Sequence, residues 1–198
     1  MRIAISTVWL LAVLACGLFL ISLDNSAGPQ AMAGMEFPKV QEVQLDSHRC
    51  TLLLFAHPKC PCTRATIGEL NRLLTRCTTN VAVHVFFLRP STETEDWSQT
   101  DLWRSAGSIP GVQVHLDTDG AIAATFGAST SGDAVLYSSH GKLLFHGGIT
   151  AGRGHEGDNP GASAIVAFAT GTTATFNQTP AYGCQLQKQC NVAQETTQ

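Results

Sequence analysis

Two continuous apolar runs mark the sequence, and the residues between them follow a helical pattern. Residues 51–56 and 81–88 lack the polar alternation of half-exposed strands, which predicts two strands covered on both faces. Across residues 63–76, apolar side chains recur at intervals of three and four, which predicts an amphipathic helix with one buried face. The predicted domain therefore begins as strand, helix and strand.

Strands and helices continue to alternate after this point. A capping-box pattern at residues 92–95 predicts a helix that carries Trp97, Leu102 and Trp103. The remaining predicted elements are a strand at 112–116, a short helix at 121–126, a hairpin of strands 134–137 and 142–145, and a final helix at 162–169. This order predicts an α/β fold with a central mixed sheet flanked by helices.

A longer apolar segment precedes both of these runs. Residues 3–23 contain no charged side chain, and their length matches the ~20 residues that a membrane-spanning helix needs. Because Arg2 precedes this segment and Asp24 follows it, the positive-inside rule predicts that the rest of the chain lies outside the cytoplasm. We expect a single-pass signal-anchor in the inner (cytoplasmic) membrane with the domain facing the periplasm. The alternative is cleavage near Ala33, which would secrete the domain to the periplasm.

Composition agrees with one globular domain and an added apolar segment. The chain has 198 residues, of which 44% are apolar and 14% are charged. We divide it into an anchor or signal segment (1–23), a linker (24–46), a globular domain (47–175) and a polar tail with two cysteines (176–198). The net charge of −3 provides no basic surface for nucleic acid.

The candidate chemistry lies in the sequence Cys60-Pro61-Cys62, between the first buried strand and the first amphipathic helix. A helix N-terminus presents unpaired N–H groups and partial positive charge, which stabilise a thiolate, the reactive form of cysteine. Lys59 and Arg64 would add positive charge, and His57 would do so when protonated or would transfer a proton. A C-x-C disulfide closes a small ring stiffened by Pro61, so we expect an easily reduced, redox-active pair.

This stretch resembles the thioredoxin-like superfamily, in which a strand, a C-x-x-C pair and a helix follow one another. Phe55-Ala56 matches the end of the family strand, and Pro61 and Cys62 match the proline and second cysteine. Lys59 then stands at the position of the first cysteine, and Cys60 follows one residue later. The sequence of residues 57–64 also resembles that of a group of bacterial membrane-anchored proteins of the RedB type.

The resemblance covers about residues 50–170 and implies a thioredoxin-like fold in the longer version shared by the TlpA-like and peroxiredoxin-like branches. It implies that Cys60, as the more exposed cysteine, attacks and that Cys62 resolves. It also places Gly132 and Asp133 beside the cysteine pair, with Gly132 where the family has a cis-proline. Glycine reaches unusual backbone angles but does not lock a cis bond.

Four further cysteines can be sorted by geometry. The strand from Cys50 rises ~23 Å to the C-x-C turn. The helix that ends near Cys77 descends ~22 Å. We therefore predict a structural disulfide between Cys50 and Cys77 at the opposite end of the domain. Cys184 and Cys190 either form a second disulfide, or Cys184 folds back to serve the active site; the spacing does not separate these two possibilities.

The glycine-rich loop 147–159 is a second candidate region. The expected topology brings it out at the cysteine end of the sheet. Its Arg153, His155, Glu156 and Asp158 could orient a substrate or bind a cation, or the loop is simply solvated surface.

Two classes of function remain open. The first is an extracytoplasmic thiol–disulfide oxidoreductase that exchanges disulfides with protein thiols or a redox partner and needs no cofactor. The second is a copper-binding thioredoxin-like chaperone in which Cys60, Cys62 and His155 hold Cu(I), since thiolates are soft ligands. A non-catalytic, partner-binding thioredoxin-like domain is a third reading.

Overall fold

A computed structural model describes residues 2–24, 26–77 and 80–186. Its helices are Arg2–Asp24 (α1), Pro61–Cys77 (α2), Asp101–Gly107 (α3), Ala121–Thr125 (α4) and Pro160–Ala169 (α5). Its strands are Cys50–Ala56 (β1), Val81–Arg89 (β2), Val112–Thr118 (β3), Asp133–Tyr137 (β4), Leu143–Gly148 (β5) and Gln178–Thr179 (β6).

The strands form one mixed sheet in the order β3-β2-β1-β4-β5-β6. β1, β2 and β3 run parallel, whereas β4 runs antiparallel to β1 and to β5. The start of β4 therefore lies beside the end of β1, and the N–H of Gly132 donates to the carbonyl of Phe55 at 2.7 Å. The end of β5 reaches the same edge, where Gly148 is opposite Asp133. Three loops consequently meet at the C-terminal end of β1.

Both faces of the sheet are covered, as the continuous apolar runs predicted. On one face Leu52 and Leu54 of β1 pack in a core with the buried sides of α2, α3 and α5. On the other face Leu53 and Phe55 pack with α4. The α/β fold with a central mixed sheet is thus confirmed, and alternate side chains of β1 enter opposite cores because successive side chains of a strand point to opposite faces.

Some elements differ from the prediction. The helix expected after residue 92 is split into a 3-10 turn at Glu95–Trp97 and the short α3. Ser98 separates them because its hydroxyl is buried and donates to the carbonyl of Leu88 at 2.9 Å. β6 was not predicted, since two residues carry no detectable hydrophobic period. It pairs with β5 and brings the tail onto the sheet.

The predicted linker lies against the domain. Val43 is buried in the same core as Phe55, and Phe37 packs against the ring of Tyr137 with centroids 5.2 Å apart. The N–H of Leu143 donates to the carbonyl of Met35 at 2.9 Å, so the segment also bonds to the hairpin. Residues 26–46 therefore cover part of the sheet.

The N-terminal segment is helical, as expected, across α1. The expectation of a membrane anchor there is not supported: among the residues that the structure describes, none of the helices combines the length and apolarity needed to cross a membrane.

Cys50 and Cys77 lie in the same core, at the end of the domain opposite the C-x-C turn. They are close enough for the charge of Cys50 to raise the pKa of Cys77, although burial is the larger cause. Both are free thiols, and the Cys77 thiol donates to the carbonyl of Leu73 at 3.3 Å. The disulfide between them stays a prediction.

A histidine pair joins β2 to β3 away from the C-x-C turn. Nδ1 of His84 and Nε2 of His115 are 3.0 Å apart, and the rings are stacked. The pKa of His84 is lowered to about 4, mainly by burial and in addition by the positive charges of His115 and Arg49. The folded protein therefore holds His84 neutral at pH values where an unfolded chain would protonate it.

His84→Gln should flatten the loss of stability in acid. An unfolded histidine titrates near 6.5, so the stability that depends on neutral His84 is present above that pH and is lost as the pH falls towards 4. We expect this group to account for about 1–3 kcal/mol of the fall in unfolding free energy. Urea unfolding between pH 7 and pH 4.5 measures it. The control His140→Gln, an exposed turn residue, should keep the wild-type slope; an unchanged slope in His84→Gln would contradict the assignment.

Candidate active site at the start of helix α2

The C-x-C turn is built as a helix cap. The chain leaves β1 at Ala56, turns with the N–H of Cys60 donating to the carbonyl of His57 at 3.1 Å, and enters α2 at Pro61. Proline suits the first helical position because its missing N–H would have no partner there. Cys60 is thus the N-cap residue, and Cys62 lies on the first turn. The helix begins two residues earlier than the apolar period predicted.

The sulfur of Cys60 is buried, with 1% of the residue exposed. Burial alone would raise its pKa. Hydrogen bonds from the Cys184 side chain and from the N–H groups of Cys184, Cys62 and Thr63 outweigh burial, and the pKa of Cys60 is below the ordinary thiol value. The capping position supplies two of these donors, since a cap side chain accepts from the second and third helical N–H groups. Cys60 therefore ionises more readily than an ordinary cysteine.

Cys62 has the opposite character. It is partly exposed, so the expectation that Cys60 is the more exposed cysteine is wrong. Burial, the charge on Cys60 and a hydrogen bond to Cys60 raise the pKa of Cys62, whereas the charge and hydrogen bond of Arg153 lower it. Of the two sulfurs, the buried one therefore ionises first, because more donors point at it.

A third cysteine completes the site. The tail returns along the loop before β4: the N–H of Ser131 donates to the carbonyl of Cys184 at 2.7 Å, and the N–H of Leu186 donates to the carbonyl of Ser129 at 2.9 Å. This backbone pairing places the Cys184 side chain against Cys60. Burial, the hydrogen bond to Cys60 and the nearby thiolate charges raise the pKa of Cys184 to about 12, so it remains a thiol and a donor. Of the two roles left open for Cys184, the described residues support the one at the active site; Cys190 lies outside them.

Ser131 connects the three parts of the site. Its hydroxyl accepts from the N–H of His57 at 2.9 Å and lies 2.8 Å from the hydroxyl of Thr63 on α2. Its own N–H holds Cys184, as described above. One buried serine thereby fixes the turn, the helix and the tail relative to one another.

Gly132 and Asp133 support this arrangement from behind. Gly132 has φ +99, a backbone angle that favours glycine, and the described residues contain no cis peptide bond. The carboxylate of Asp133 accepts from the N–H groups of Ser129 and Thr130 at 3.0 and 2.9 Å. Burial raises the pKa of Asp133, while these two N–H groups lower it. Asp133 is a structural anchor of the loop that carries Ser131.

The charges expected near the cysteines lie elsewhere. Arg64 pairs with Asp101 on the surface, and the ammonium group of Lys59 lies 4.2 Å from the centre of the Trp97 ring. Burial first, and then the charge of Lys59, lower the pKa of His57, which disfavours its protonated form. Nδ1 of His57 accepts from the N–H of Lys59 at 3.1 Å, so this side chain shapes the turn.

The loop after β5 reaches the site through Arg153. Its Nη1 donates to the carbonyl of Gly183 at 3.0 Å and its Nε donates to the carbonyl of Ser26 at 3.2 Å, while the guanidinium contacts Cys62. His155 is exposed on the same loop. The loop was correctly expected at the cysteine end, although the residue that acts on a cysteine is its arginine.

Two carboxylates clamp this loop onto α2. Glu156 pairs with Arg72 at 2.7 Å, and the buried Glu69 accepts from the N–H of Gly157 at 2.7 Å. Glu156 thus positions the loop and does not face the cysteines. Within residues 2–24, 26–77 and 80–186, no group of three His, Cys, Asp or Glu side chains is arranged to hold a metal ion, so Cys60, Cys62 and His155 are not assembled as a ligand set.

Sequence reasoning underrated Arg153 and missed Ser131 and Glu69 as site-building residues. A signal was available for the tail, because Gly183 precedes Cys184. A Cβ at Gly183 would overlap the carbonyl oxygen of Ser131, so only glycine allows this close approach. Ser131 and Glu69 gave no sequence signal, since their partners are distant in the chain.

Comparison with known proteins identifies solved structures of similar fold. An uncharacterized conserved protein from Geobacillus kaustophilus matches with a TM-score of 0.58 and 16% identity over 83% of this chain and 93% of that chain. The hypothetical protein SMc02350 from Sinorhizobium meliloti 1021 matches with a TM-score of 0.56 and 17% identity over 83% and 96% of the two chains. At these identities the likeness shows the fold alone.

A more distant match is a secreted Mycobacterium tuberculosis disulfide oxidoreductase homologous to E. coli DsbE. Its TM-score is 0.40 and its identity 19%, over 50% of this chain and 68% of that chain. No family model matches the sequence, and no curated protein matches it. The mixed α/β sheet agrees with the thioredoxin-like fold that the C-x-C stretch led us to expect.

Arg153→Gln should slow alkylation of Cys62. Without the guanidinium, the pKa of Cys62 rises further and its thiolate fraction falls, which we expect to reduce the iodoacetamide rate at pH 8 by about 3- to 10-fold. Fragmentation mass spectrometry distinguishes Cys62 from Cys60 within one peptide. The matched control is Arg64→Gln, whose guanidinium pairs with Asp101 and should leave the rate unchanged. Equal rates for both variants would contradict the role of Arg153.

Proposed function

We propose that this protein is an extracytoplasmic thiol–disulfide oxidoreductase that exchanges disulfides with protein partners through Cys60 and Cys62. The observation that carries the proposal is the sulfur of Cys60, which is buried at a helix N-terminus and receives hydrogen bonds from three backbone N–H groups and a neighbouring thiol. A thiol held in this way is a good leaving group because a cysteine of low pKa leaves a disulfide faster.

The difference in exposure assigns roles to the two cysteines. In the oxidised pair, a partner thiolate attacks the sulfur of the partly exposed Cys62, a bond forms between them, and the Cys60–Cys62 bond breaks with the electron pair on Cys60. The N–H groups around Cys60 receive that charge. A second thiolate of the partner then attacks the partner sulfur that is bonded to Cys62, and Cys62 leaves as a thiolate. The partner leaves oxidised and the protein leaves as a dithiol.

The surroundings suit a protein partner. A cleft of about 580 Å³ beside the C-x-C turn is lined by residues that include His57, Trp97, Pro90 and Leu186. Apolar and aromatic walls of this kind suit the side chains of an extended segment. We assign the protein to an oxidising, extracytoplasmic compartment because disulfides persist there, and the reaction needs no cofactor.

Cys60→Ser and Cys62→Ser should each lower disulfide exchange with a model protein dithiol by about 100-fold or more, since the first removes the leaving thiolate and the second removes the sulfur that the partner attacks. Exchange is measured by quenching with acid and separating the oxidised and reduced forms. Circular dichroism checks that the fold is retained.

Cys50→Ala is the control, because Cys50 lies at the opposite end of the domain and should keep the wild-type rate. Wild-type exchange rates in folded Cys60→Ser would overturn the proposed function.

A further inference from the structure

Residues 181–186, here called the tail strap, lie across the cysteine pair. Thr130 and Gln185 form an antiparallel bridge, flanked by the backbone hydrogen bonds of Ser131 and Leu186 already described. At the start of the strap, the N–H of Gly28 donates to the carbonyl of Ala181 at 2.8 Å. The strap is therefore held in one register by its backbone, and that register sets Cys184 against Cys60.

The contacts of the strap are concentrated at the cysteine. Gly183 lies against the carbonyl of Ser131 so closely that a Cβ would overlap it, and Arg153 binds the carbonyl of Gly183 while contacting Cys62. Three separate segments of the chain thus bring together three sulfurs and one guanidinium: the C-x-C turn, the loop that carries Arg153 and the strap that carries Cys184. The exchange between Cys60 and Cys62 uses only two of these sulfurs.

We propose that Cys184 is a third redox-active residue, which exchanges with the Cys60–Cys62 disulfide to form a Cys60–Cys184 disulfide. This proposal rests on the proposed function, because it needs the oxidised pair. Hydrogen-bonded contact between two cysteine side chains gives a reacting thiol a high effective concentration.

The step is a balanced exchange. The thiolate of Cys184 attacks the sulfur of Cys60, the Cys60–Cys184 bond forms, and the Cys60–Cys62 bond breaks with its electron pair on Cys62. The proton that Cys184 loses is taken up by solvent, which can return one to Cys62. Cys184 is oxidised and Cys62 is reduced, so the oxidation state of the protein as a whole does not change. Burial is the first cause of the raised pKa of Cys184 and persists in the oxidised protein, whereas the contributions of the Cys60 charge and hydrogen bond are removed when the pair is oxidised. The contact between the two side chains is what favours the attack.

The consequence is a change in which sulfur faces the partner. After exchange, the partly exposed Cys62 is no longer part of the disulfide and lies beside the guanidinium of Arg153, which lowers its pKa, while the oxidised bond is buried under the strap. The same strap residues line the cleft next to the turn, where Gln185 and Leu186 contribute to its wall. Cys62 can then attack a partner disulfide without prior reduction of the protein.

The test uses the full chain of Cys62→Ser, oxidised with glutathione disulfide at graded ratios to glutathione. Glutathione disulfide first caps the partly exposed Cys184, and the thiolate of Cys60 then displaces glutathione. Trypsin cleaves after Lys59, Arg64, Arg153 and Lys188, so Cys60 lies in peptide 60–64 and Cys184 in peptide 154–188. We expect these two peptides to be linked and glutathione to be absent from Cys60.

Gly183→Ala in the same background should lower the rate of this link by about tenfold or more, because the added Cβ displaces the strap. Gly107→Ala is the matched control: its Cβ would make an ordinary 3.7 Å contact with Val114, and it should leave the rate unchanged. In the wild-type chain, acid-quenched and alkylated samples should contain the same link with Cys62 alkylated.

Other outcomes separate the two proposals. If the wild-type pair exchanges with glutathione but Cys62→Ser never joins Cys60 to Cys184, whether glutathione caps one cysteine or neither, the third redox-active residue is overturned and the proposed function stands. A link between peptides 154–188 and 189–198, which would join Cys184 to Cys190, has the same meaning. If Cys60 and Cys62 of the wild-type chain never pair in any buffer, both proposals fall.

Discussion

The site depends on how the protein compensates charge on one buried sulfur. An ionised group taken out of water without partners costs several kcal/mol. Cys60 avoids much of that cost because its position as the helix cap directs the N–H groups of Cys62 and Thr63 at its sulfur, and the tail adds the N–H and thiol of Cys184. Hydrogen bonds to a charged acceptor are about twice as strong as neutral ones. The reactive cysteine therefore requires the tail as well as the helix.

This requirement explains why polar groups far from the chemistry are buried. Asp133 holds the loop before β4 through two backbone N–H groups, and that loop presents Ser131 to the C-x-C turn, to α2 and to the tail strap. Glu69 secures the loop that carries Arg153. Both of these buried carboxylates are hydrogen-bonded, which offsets the cost of their burial, and each fixes a loop that also carries a residue in contact with a cysteine: Ser131 with Cys184, and Arg153 with Cys62.

Periodicity in the sequence predicted the parts of the fold that burial dictates. β1, β2 and α2 follow from apolar spacing, because the two faces of a sheet and one face of a helix must be covered. The position of the C-x-C pair at the start of a helix was also predicted from the sequence. For Cys184 the role at the active site was one of two open possibilities, Arg153 was one of four candidates on its loop, and Ser131 was missed. Their roles arise from contacts across 30 to 130 residues, such as Arg153 to Gly183 and Ser26, which no local pattern encodes.

The one-residue spacing of the cysteines accounts for the reversal of their exposure. The resemblance places Lys59 at the position of the family's first cysteine, and Lys59 is the exposed residue of the turn, with its ammonium group over Trp97. Cys60, one residue closer to the helix, becomes the cap and its sulfur turns inward. The outward role passes to Cys62 on the first helical turn. In the proposed exchange, a sulfur as buried as that of Cys60 does not meet a large partner directly, and the partly exposed Cys62 is the sulfur that does.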